Sequence, residues 1–251
     1  MASLRDPITG CVWDKQQTYK SIVPHTIEEA YEVAEAIELE NYDELRSELG
    51  DLLFQVVFYS QIAKEEGRFN FIDVVESISE KMIRRHPHVF SDYRIENVEQ
   101  QKKLWDEIKQ SEKSAVNGDS CSSALDGVNL CQPAVHVARK LQSRAEKVGF
   151  DWPDYRGPLD KVSEEIDEVK EAIDSGCKDK MTDELGDLMF AAVNLSRKLG
   201  VDPEVALRST NRKFEMRFKA MEQMARAEKS EFAKLSLEEQ EALWIKVKKA
   251  E

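Results

Sequence analysis

The sequence contains an internal repeat. Residues 28–60 align without a gap with residues 164–196, at a constant offset (164 − 28 = 136). Both copies contain Glu-Glu-x-x-Glu, followed at one fixed distance by Glu-Leu-Gly-Asp (48 − 32 = 184 − 168 = 16). The repeat period is far longer than that of a solenoid unit, which is about 20–50 residues. The chain of 251 residues is therefore predicted to contain a duplicated domain.

Helix signals recur along both halves, whereas strand signals are nearly absent. A capping-box pattern from Thr26 to Glu29 predicts that the first strong helix begins there, after an irregular segment of residues 1–24. A second helix is predicted from Asp43 to Glu66. The other predicted helices run from Asn70 to His86-Pro87, 97 to 113, 133 to 148, 160 to 175, 180 to 199, Asp202-Pro203 to about Lys229, and from Ser236 onward. The chain is predicted to be all-α, with two helical bundles.

Residues 114–123 separate the two halves. They are small and polar and show no helical periodicity. We therefore predict an N-terminal domain of residues 1–113, a linker of residues 114–123 and a C-terminal domain of residues 124–251.

Each copy of the repeat carries an acidic quartet, whose members pair at helical spacing. The quartets are Glu165, Glu168, Glu184 and Asp187 in the second copy, and Glu29, Glu32, Glu48 and Asp51 in the first. The second quartet leads into an apolar pattern that predicts a buried stripe of Leu185, Leu188, Ala192, Leu195 and Leu199. Carboxylates beside a core repel one another and lose hydration unless a cation joins them. Mg²⁺ is the natural candidate because it prefers oxygen ligands.

Acidic residues near helix starts also have a purely structural explanation, because they complement the helix dipole. Two copies at identical spacing, each leading into an apolar helix, make solvated surface acids the weaker interpretation. A repeat can nevertheless preserve a structural feature, so the metal site is a hypothesis at this point.

Basic and aromatic residues repeat as well. Lys213 and Arg217 match an earlier Lys and Arg at the same spacing, and Trp244 and Lys248 match an earlier Trp and Lys. Singly, each cation is typical of a solvated helix face and each tryptophan of a core. Together they supply cations for phosphate oxygens and an aromatic face for a base. These are the groups that a nucleoside triphosphate would need.

The halves differ around the acidic residues. Lys161 corresponds to His25, Lys180 to Glu44 and Asn194 to Phe58. The first half thus has fewer basic and polar groups with which to hold a polyphosphate. We therefore predict that the second half is the working site and that the first is weak, differently selective or structural.

Charge and cysteine content limit the classes of function. The net charge of −13 argues against a general nucleic-acid binder. The sequence has no apolar run long enough to cross a bilayer and no signal-peptide pattern at its start. The four cysteines are scattered, which is typical of free thiols in a reducing compartment. A cytoplasmic protein without membrane or nucleic-acid partners is expected.

The acidic pattern in an all-α setting resembles the MazG family of nucleoside triphosphate pyrophosphohydrolases. The resemblance covers nearly the whole chain, and it is to the tandem-domain bacterial form of the family. Beyond the acidic motifs, it includes Cys11-Val-Trp-Asp-Lys15, Arg84-Arg-His-Pro-His-Val-Phe90, Val148-Gly-Phe-Asp-Trp152 and Lys213-Phe-Glu-Met-Arg217. It implies two MazG-type helical bundles and a homodimer, which the limited core of each half also favours. The implied reaction is hydrolysis between the α and β phosphates, giving a nucleoside monophosphate and pyrophosphate, with broad base specificity.

The resemblance also implies roles for individual residues. Mg²⁺, with Mn²⁺ as the alternative ion, would be bound by Glu165, Glu168, Glu184 and Asp187. Nucleotide contacts are implied for the segment from Lys161 through Glu164 to Glu165, the segment from Lys180 to Asp183, and Lys213, Arg217, Trp244 and Lys248. For catalysis, Glu164 or Glu165 is the candidate to orient or deprotonate the attacking water.

Three alternatives remain open from the sequence. The chain could be a metal-dependent nucleotide-binding or regulatory module that does not turn over. It could be a structural helical dimer whose acidic residues are only solvated. It could also be a pyrophosphohydrolase confined to deoxynucleotides or damaged bases.

Overall fold

The computed structural model describes residues 1–91, 94–95, 97–101, 104–105, 107–108, 112 and 123–250. The chain divides into two compact units, Met1–Asp119 and Ser120–Glu251. Every regular element in the described residues is helical, which confirms the all-α prediction. Apart from Ser123, the predicted linker lies outside the described residues, so its position stays a prediction. No described helix has the length and apolar character needed to cross a membrane.

The first unit is built around a pair of long helices. The helices are α1 (Val12–Gln16), α2 (Tyr19–Glu38), α3 (Tyr42–Glu65), α4 (Phe71–Arg85) and the short α5 (Pro87–Phe90). Helix α2 packs mainly on α3, and α4 packs on α3. A cluster of three buried side chains, Ile22, Phe58 and Ile62, lies between α2 and α3. The described residues between 98 and 112 are also helical, as predicted for this segment.

The second unit repeats the central helix pair. Its helices are α6 (Ala134–Lys147), α7 (Arg156–Ser175), α8 (Lys178–Lys198), α9 (Pro203–Ala227) and α10 (Leu237–Lys249), with a 3-10 turn at Phe232–Lys234. Helix α7 packs on α8, α6 covers part of α8, and α10 packs on α9. Gly176 ends α7 with φ = 66°, a left-handed conformation that glycine adopts without steric cost.

The predicted start of the first long helix is wrong. Helix α2 begins at Tyr19, where Thr18 and Ser21 form a reciprocal capping box, and it continues through Pro24. The Thr26 hydroxyl is not a cap; it donates to the Ile22 carbonyl and lies 2.9 Å from the Tyr59 hydroxyl. Helix α7 likewise begins four residues before its predicted start (160 − 156 = 4), with Pro158 in its first turn, where no intrahelical N–H bond is required.

The predicted buried stripe on α8 is also wrong in part. Leu185, Ala192 and Leu199 are exposed, whereas Ala191, Val193 and Asn194 are buried. Helices α6 and α7 cover the face of α8 that carries Ala191 and Asn194. The other two residues of the predicted stripe, Leu188 and Leu195, are half-buried.

Candidate functional site

Three of the four predicted metal ligands in the second unit meet at one point. Glu165 on α7 and Glu184 and Asp187 on α8 each offer an oxygen atom, and these atoms all lie within 4.8 Å of one another. Glu165 is buried, with an exposed fraction of 3%, whereas Asp187 is exposed. Glu184 and Asp187 are three residues apart, so one face of α8 presents both to α7. The packing of α7 on α8 therefore concentrates negative charge at these carboxylates.

The fourth predicted ligand, Glu168, lies beside this group. Contact with the Glu165 carboxyl, followed by burial, raises the pKa of Glu168 above its ordinary value. The charges of Glu165 and Glu184 act in the same direction, because ionising Glu168 would add a like charge.

Lys161 partly neutralises the acidic cluster. Its Nζ lies 2.7 Å from Glu164 Oε1, 2.7 Å from Glu165 Oε1 and 3.9 Å from Glu168 Oε2. The hydrogen bonds to Glu164 and Glu165 raise the pKa of Lys161 well above its ordinary value. The structure thus brings Lys161 together with Glu164 and the carboxylates, and the nucleotide contacts of this segment stay a prediction.

The residues present fit a divalent cation. Glu165 Oε2 is buried and has no hydrogen-bond partner. Leaving a buried carboxylate oxygen unpaired is costly, and a metal ion would satisfy it. Clustered carboxylate oxygens are the ligand set that Mg²⁺ and Mn²⁺ accept. The donor chemistry therefore matches the metal site expected from the sequence.

The first unit assembles an equivalent acidic cluster. Oxygen atoms of Glu29, Glu48 and Asp51 also lie within 4.8 Å of one another. Burial, then the charges of Asp51 and Glu32, raises the pKa of Glu29. Burial, then the charge of Glu32, raises the pKa of Glu48. Both units therefore reproduce the crowding of carboxylates that the repeat predicted.

A cavity of about 860 Å³ adjoins the carboxylates of the second unit. Such a volume is within the range of small-molecule sites. Besides Lys161, Glu165 and Asp187, the wall is formed by Leu125, Leu141, Gln142, Ala145, Gly149, Phe150, Asp151, Trp152, Pro158, Phe190, Ala191, Asn194 and Arg197. It combines aromatic and aliphatic side chains with a few polar groups. Sequence reasoning missed this cavity, although it noted that Asn194 differs from Phe58.

Arg197 organises the polar part of the wall. It donates to Asn194 Oδ1 from Nε at 3.0 Å and from Nη2 at 2.7 Å, to Glu146 at 2.8 Å and to Asp151 at 2.5 Å. Although burial opposes ionisation of Asp151, Arg197 and Lys198 hold its pKa below the ordinary value. These bonds tie the end of α8 to the segment that precedes α7.

The remaining predicted nucleotide contacts lie elsewhere on the second unit. The Arg217 guanidinium carbon is 5.4 Å from the centroid of the Trp244 ring, which joins α9 to α10. Among the described residues, the cavity wall includes none of these predicted contacts, which are Lys180, Asp183, Lys213, Arg217, Trp244 and Lys248. The structure therefore brings Arg217 to Trp244 but does not bring either residue to the cavity wall.

Comparison with known proteins gives consistent results along the chain. A model of the MazG nucleotide pyrophosphohydrolase domain matches residues 17–90 and again residues 158–221. A protein of Escherichia coli K12 named nucleoside triphosphate pyrophosphohydrolase is 48% identical over 253 residues, covering 100% of this chain and 95% of that protein. A Thermotoga maritima protein named nucleoside triphosphate pyrophosphohydrolase/pyrophosphatase MazG is 45% identical over 248 residues, covering 99% of this chain and 92% of its own length.

Proposed function

The chain belongs to the MazG nucleotide pyrophosphohydrolase family, and on that premise we propose that its second unit cleaves nucleoside triphosphates between the α and β phosphates. The products are a nucleoside monophosphate and pyrophosphate. The enzyme class is that of a nucleoside triphosphate pyrophosphohydrolase, a hydrolase that acts on acid anhydrides. The observation that carries the proposal is the cluster of Glu165, Glu184 and Asp187 beside a cavity of nucleotide size.

The acidic residues account for the cofactor that we propose. Glu165, Glu184 and Asp187 hold Mg²⁺, or Mn²⁺ in its place, with Glu168 as the fourth ligand. When bound, the ion neutralises phosphate charge and makes a bound water more acidic. The unpartnered Oε2 of Glu165 supports this role, because nothing else among the described residues satisfies it.

The reaction needs a group that accepts a proton from water. In our proposal Glu164 or Glu165 orients the attacking water and takes its proton as the new bond to the α phosphorus forms. The bond from that phosphorus to the bridging oxygen breaks, and pyrophosphate leaves. Lys161, held against both carboxylates at 2.7 Å, fixes their position and supplies positive charge near the phosphates.

The basic and aromatic groups outside the cavity wall complete the proposed nucleotide site. Lys213 and Arg217 stabilise charge on the leaving pyrophosphate, with Trp244, Lys180, Asp183 and Lys248 as further contacts to the nucleotide. We also propose a homodimer, which is supported by apolar side chains of α8 that stay exposed in the single chain, such as Met189 at 67%. Broad base specificity and a cytoplasmic location complete the proposal.

Product identity tests the proposal. The protein is incubated with ATP and Mg²⁺, and the nucleotides are resolved by ion-exchange chromatography. AMP and pyrophosphate are expected from the unmodified protein and are lost in Glu184→Gln. The matched variant Glu48→Gln, which changes the equivalent residue of the first unit, is expected to retain them.

Other product patterns contradict parts of the proposal. ADP and phosphate would refute cleavage between the α and β phosphates. Equal loss of activity in Glu184→Gln and Glu48→Gln would refute the assignment of the site to the second unit. Nucleotide binding without any product would instead indicate a non-catalytic binding module.

A further inference from the structure

Gln142 carries an unpaired hydrogen-bond acceptor in the cavity wall, in addition to the Oε2 of Glu165. Gln142 on α6 is buried, with an exposed fraction of 6%, and its Nε2 donates to the Phe190 carbonyl at 2.8 Å. A carbonyl oxygen can only accept, so this bond fixes the amide with its nitrogen toward Phe190. The other amide atom, Oε1, is buried and unpaired. A bound group with an N–H donor would satisfy it.

Gln142 lies where the nucleoside part of a bound nucleotide is expected. Phe190, to which it is bonded, lies one helical turn beyond Asp187, and Asn194 lies one turn further. At about 1.5 Å of rise per residue, Phe190 and Asn194 lie about 4.5 Å and 10 Å from Asp187 along the axis of α8. A nucleotide with its phosphates at the carboxylates would therefore extend its nucleoside along this part of the wall.

The surroundings of Gln142 suit a planar, hydrogen-bonding ring. Phe150, Trp152 and Phe190 line the same cavity, so aromatic faces are available for stacking. Trp152 lies in this wall and Trp244 does not, so a base in this cavity stacks on Trp152 and not on Trp244. The oxygen of Asn194 is held by Arg197, which leaves the amide nitrogen of Asn194 as its hydrogen-bonding side. A few fixed polar groups in a largely apolar pocket are typical of sites that set ligand orientation and specificity.

We propose that this cavity is the nucleobase subsite and that Gln142 is its specificity-determining residue, with Oε1 accepting a hydrogen from an N–H group of the base. This assignment rests on the proposed function, since it places the phosphates at the acidic cluster. Bases that carry such a donor, such as adenine with its exocyclic amino group, are preferred. Unsubstituted purine in a nucleotide offers only acceptors and leaves Oε1 unpaired.

The first test compares two substrates that differ only in that donor. The kcat and KM of the full chain are measured with ATP and with purine riboside 5′-triphosphate, in the presence of Mg²⁺. A kcat/KM at least about tenfold lower is expected for the purine analogue, mainly through KM, because a buried acceptor loses its only donor. Equal values of kcat/KM for the two triphosphates would overturn the proposal, and this comparison needs no variant.

A variant then assigns the preference to one residue. Gln142→Met keeps the length of the side chain but removes the acceptor, and it is expected to bring the ratio of the two kcat/KM values close to one. Gln132→Met is the control, since Gln132 accepts from Lys140 and is not in the cavity wall. It should leave the ratio unchanged. An unchanged ratio in a folded Gln142→Met protein, as judged by thermal melting, would contradict the role of Gln142.

A binding measurement separates this inference from the proposed function. Calorimetric titration compares AMP with purine riboside 5′-monophosphate, so no turnover is involved. Tighter binding of AMP that is lost in Gln142→Met supports the subsite even if ATP is not hydrolysed, in which case only the proposed function fails. Hydrolysis of ATP without discrimination in either assay would preserve the proposed function and overturn the subsite.

Discussion

The two units use the same acidic pattern but fill the space beside it differently. In the first unit Phe58 is 1% exposed, and its ring makes edge contacts with Trp13 at 6.5 Å and Phe54 at 5.9 Å between centroids. The guanidinium carbon of Arg5 lies 5.5 Å from the same ring. In the second unit the equivalent residue is Asn194, which lines the cavity and is bonded to Arg197.

The difference shows that an acidic cluster and a ligand site are separable features. The helix spacing fixes the carboxylates in both units. The neighbouring space depends on one side chain of the second long helix and on what packs against it. A buried aromatic ring contributes to core stability, whereas an amide beside a cavity leaves room for a ligand. The comparison therefore predicts unequal effects of matched substitutions, which are ordered below from the largest to the smallest.

The largest effect on stability is expected at Phe58. Phe58→Ala removes a buried ring between Trp13, Phe54 and Arg5 and should lower the free energy of unfolding by about 3–4 kcal/mol. Chemical denaturation of the full chain measures this change. Phe150→Ala is the control, because Phe150 is 82% exposed and its removal should cost far less. A small effect at Phe58 would show that its ring is not part of the core.

Transplanting the first unit's residue into the second sharpens the comparison. Asn194→Phe should lower kcat/KM for ATP by about 100-fold, since the ring takes up space in the cavity and removes the amide that Arg197 holds. Steady-state kinetics with ATP and Mg²⁺ measure the loss. If Asn194→Phe retained full activity, the cavity would not be the place where the nucleotide binds.

Arg197 is expected to be important for stability as well as for the cavity. Arg197→Met removes bonds to Asn194, Glu146 and Asp151 and leaves a buried carboxylate without its main partner. The cost should be about 2–3 kcal/mol of unfolding free energy, measured by denaturation. Arg156→Met is the matched control, because its ion pair with Asp154 is exposed and should contribute less than about 0.5 kcal/mol. Similar losses in both variants would contradict this account.

The smallest of these effects is expected at Lys161. Lys161→His introduces the residue of the first unit and removes an ammonium group that contacts Glu164 and Glu165. We expect kcat/KM for ATP to fall by about tenfold at neutral pH, where an ordinary histidine is mostly uncharged. The reciprocal variant His25→Lys should not change the activity. A gain of activity in His25→Lys would show that the first unit needs only this charge to work.

Part of this structure was predictable because the determining contacts are local. The helices predicted from Asn70 and from Ser236 both begin there, with caps formed by Asp73 and Glu239, three residues further along the chain. The same holds for the spacing of Glu184 and Asp187 on one face of α8. The start of α2 was missed because Thr26 and Glu29 also form a capping pattern. The true cap, Thr18 with Ser21, has a serine in place of the usual Glu or Gln.

By itself, the sequence determined the duplication, the all-α class and the acidic residues that each unit brings together, because helical periodicity and short-range caps set them. Only the tertiary structure decided which face of α8 is covered, and hence that Ala191 and Asn194 are buried while Leu185 and Leu199 are not. The tertiary structure also determined where the cavity lies and which residues line it. Gln142 is bonded 48 residues away to Phe190, and Arg197 is bonded 46 residues away to Asp151. Such contacts depend on how whole helices pack, and no local pattern encodes them.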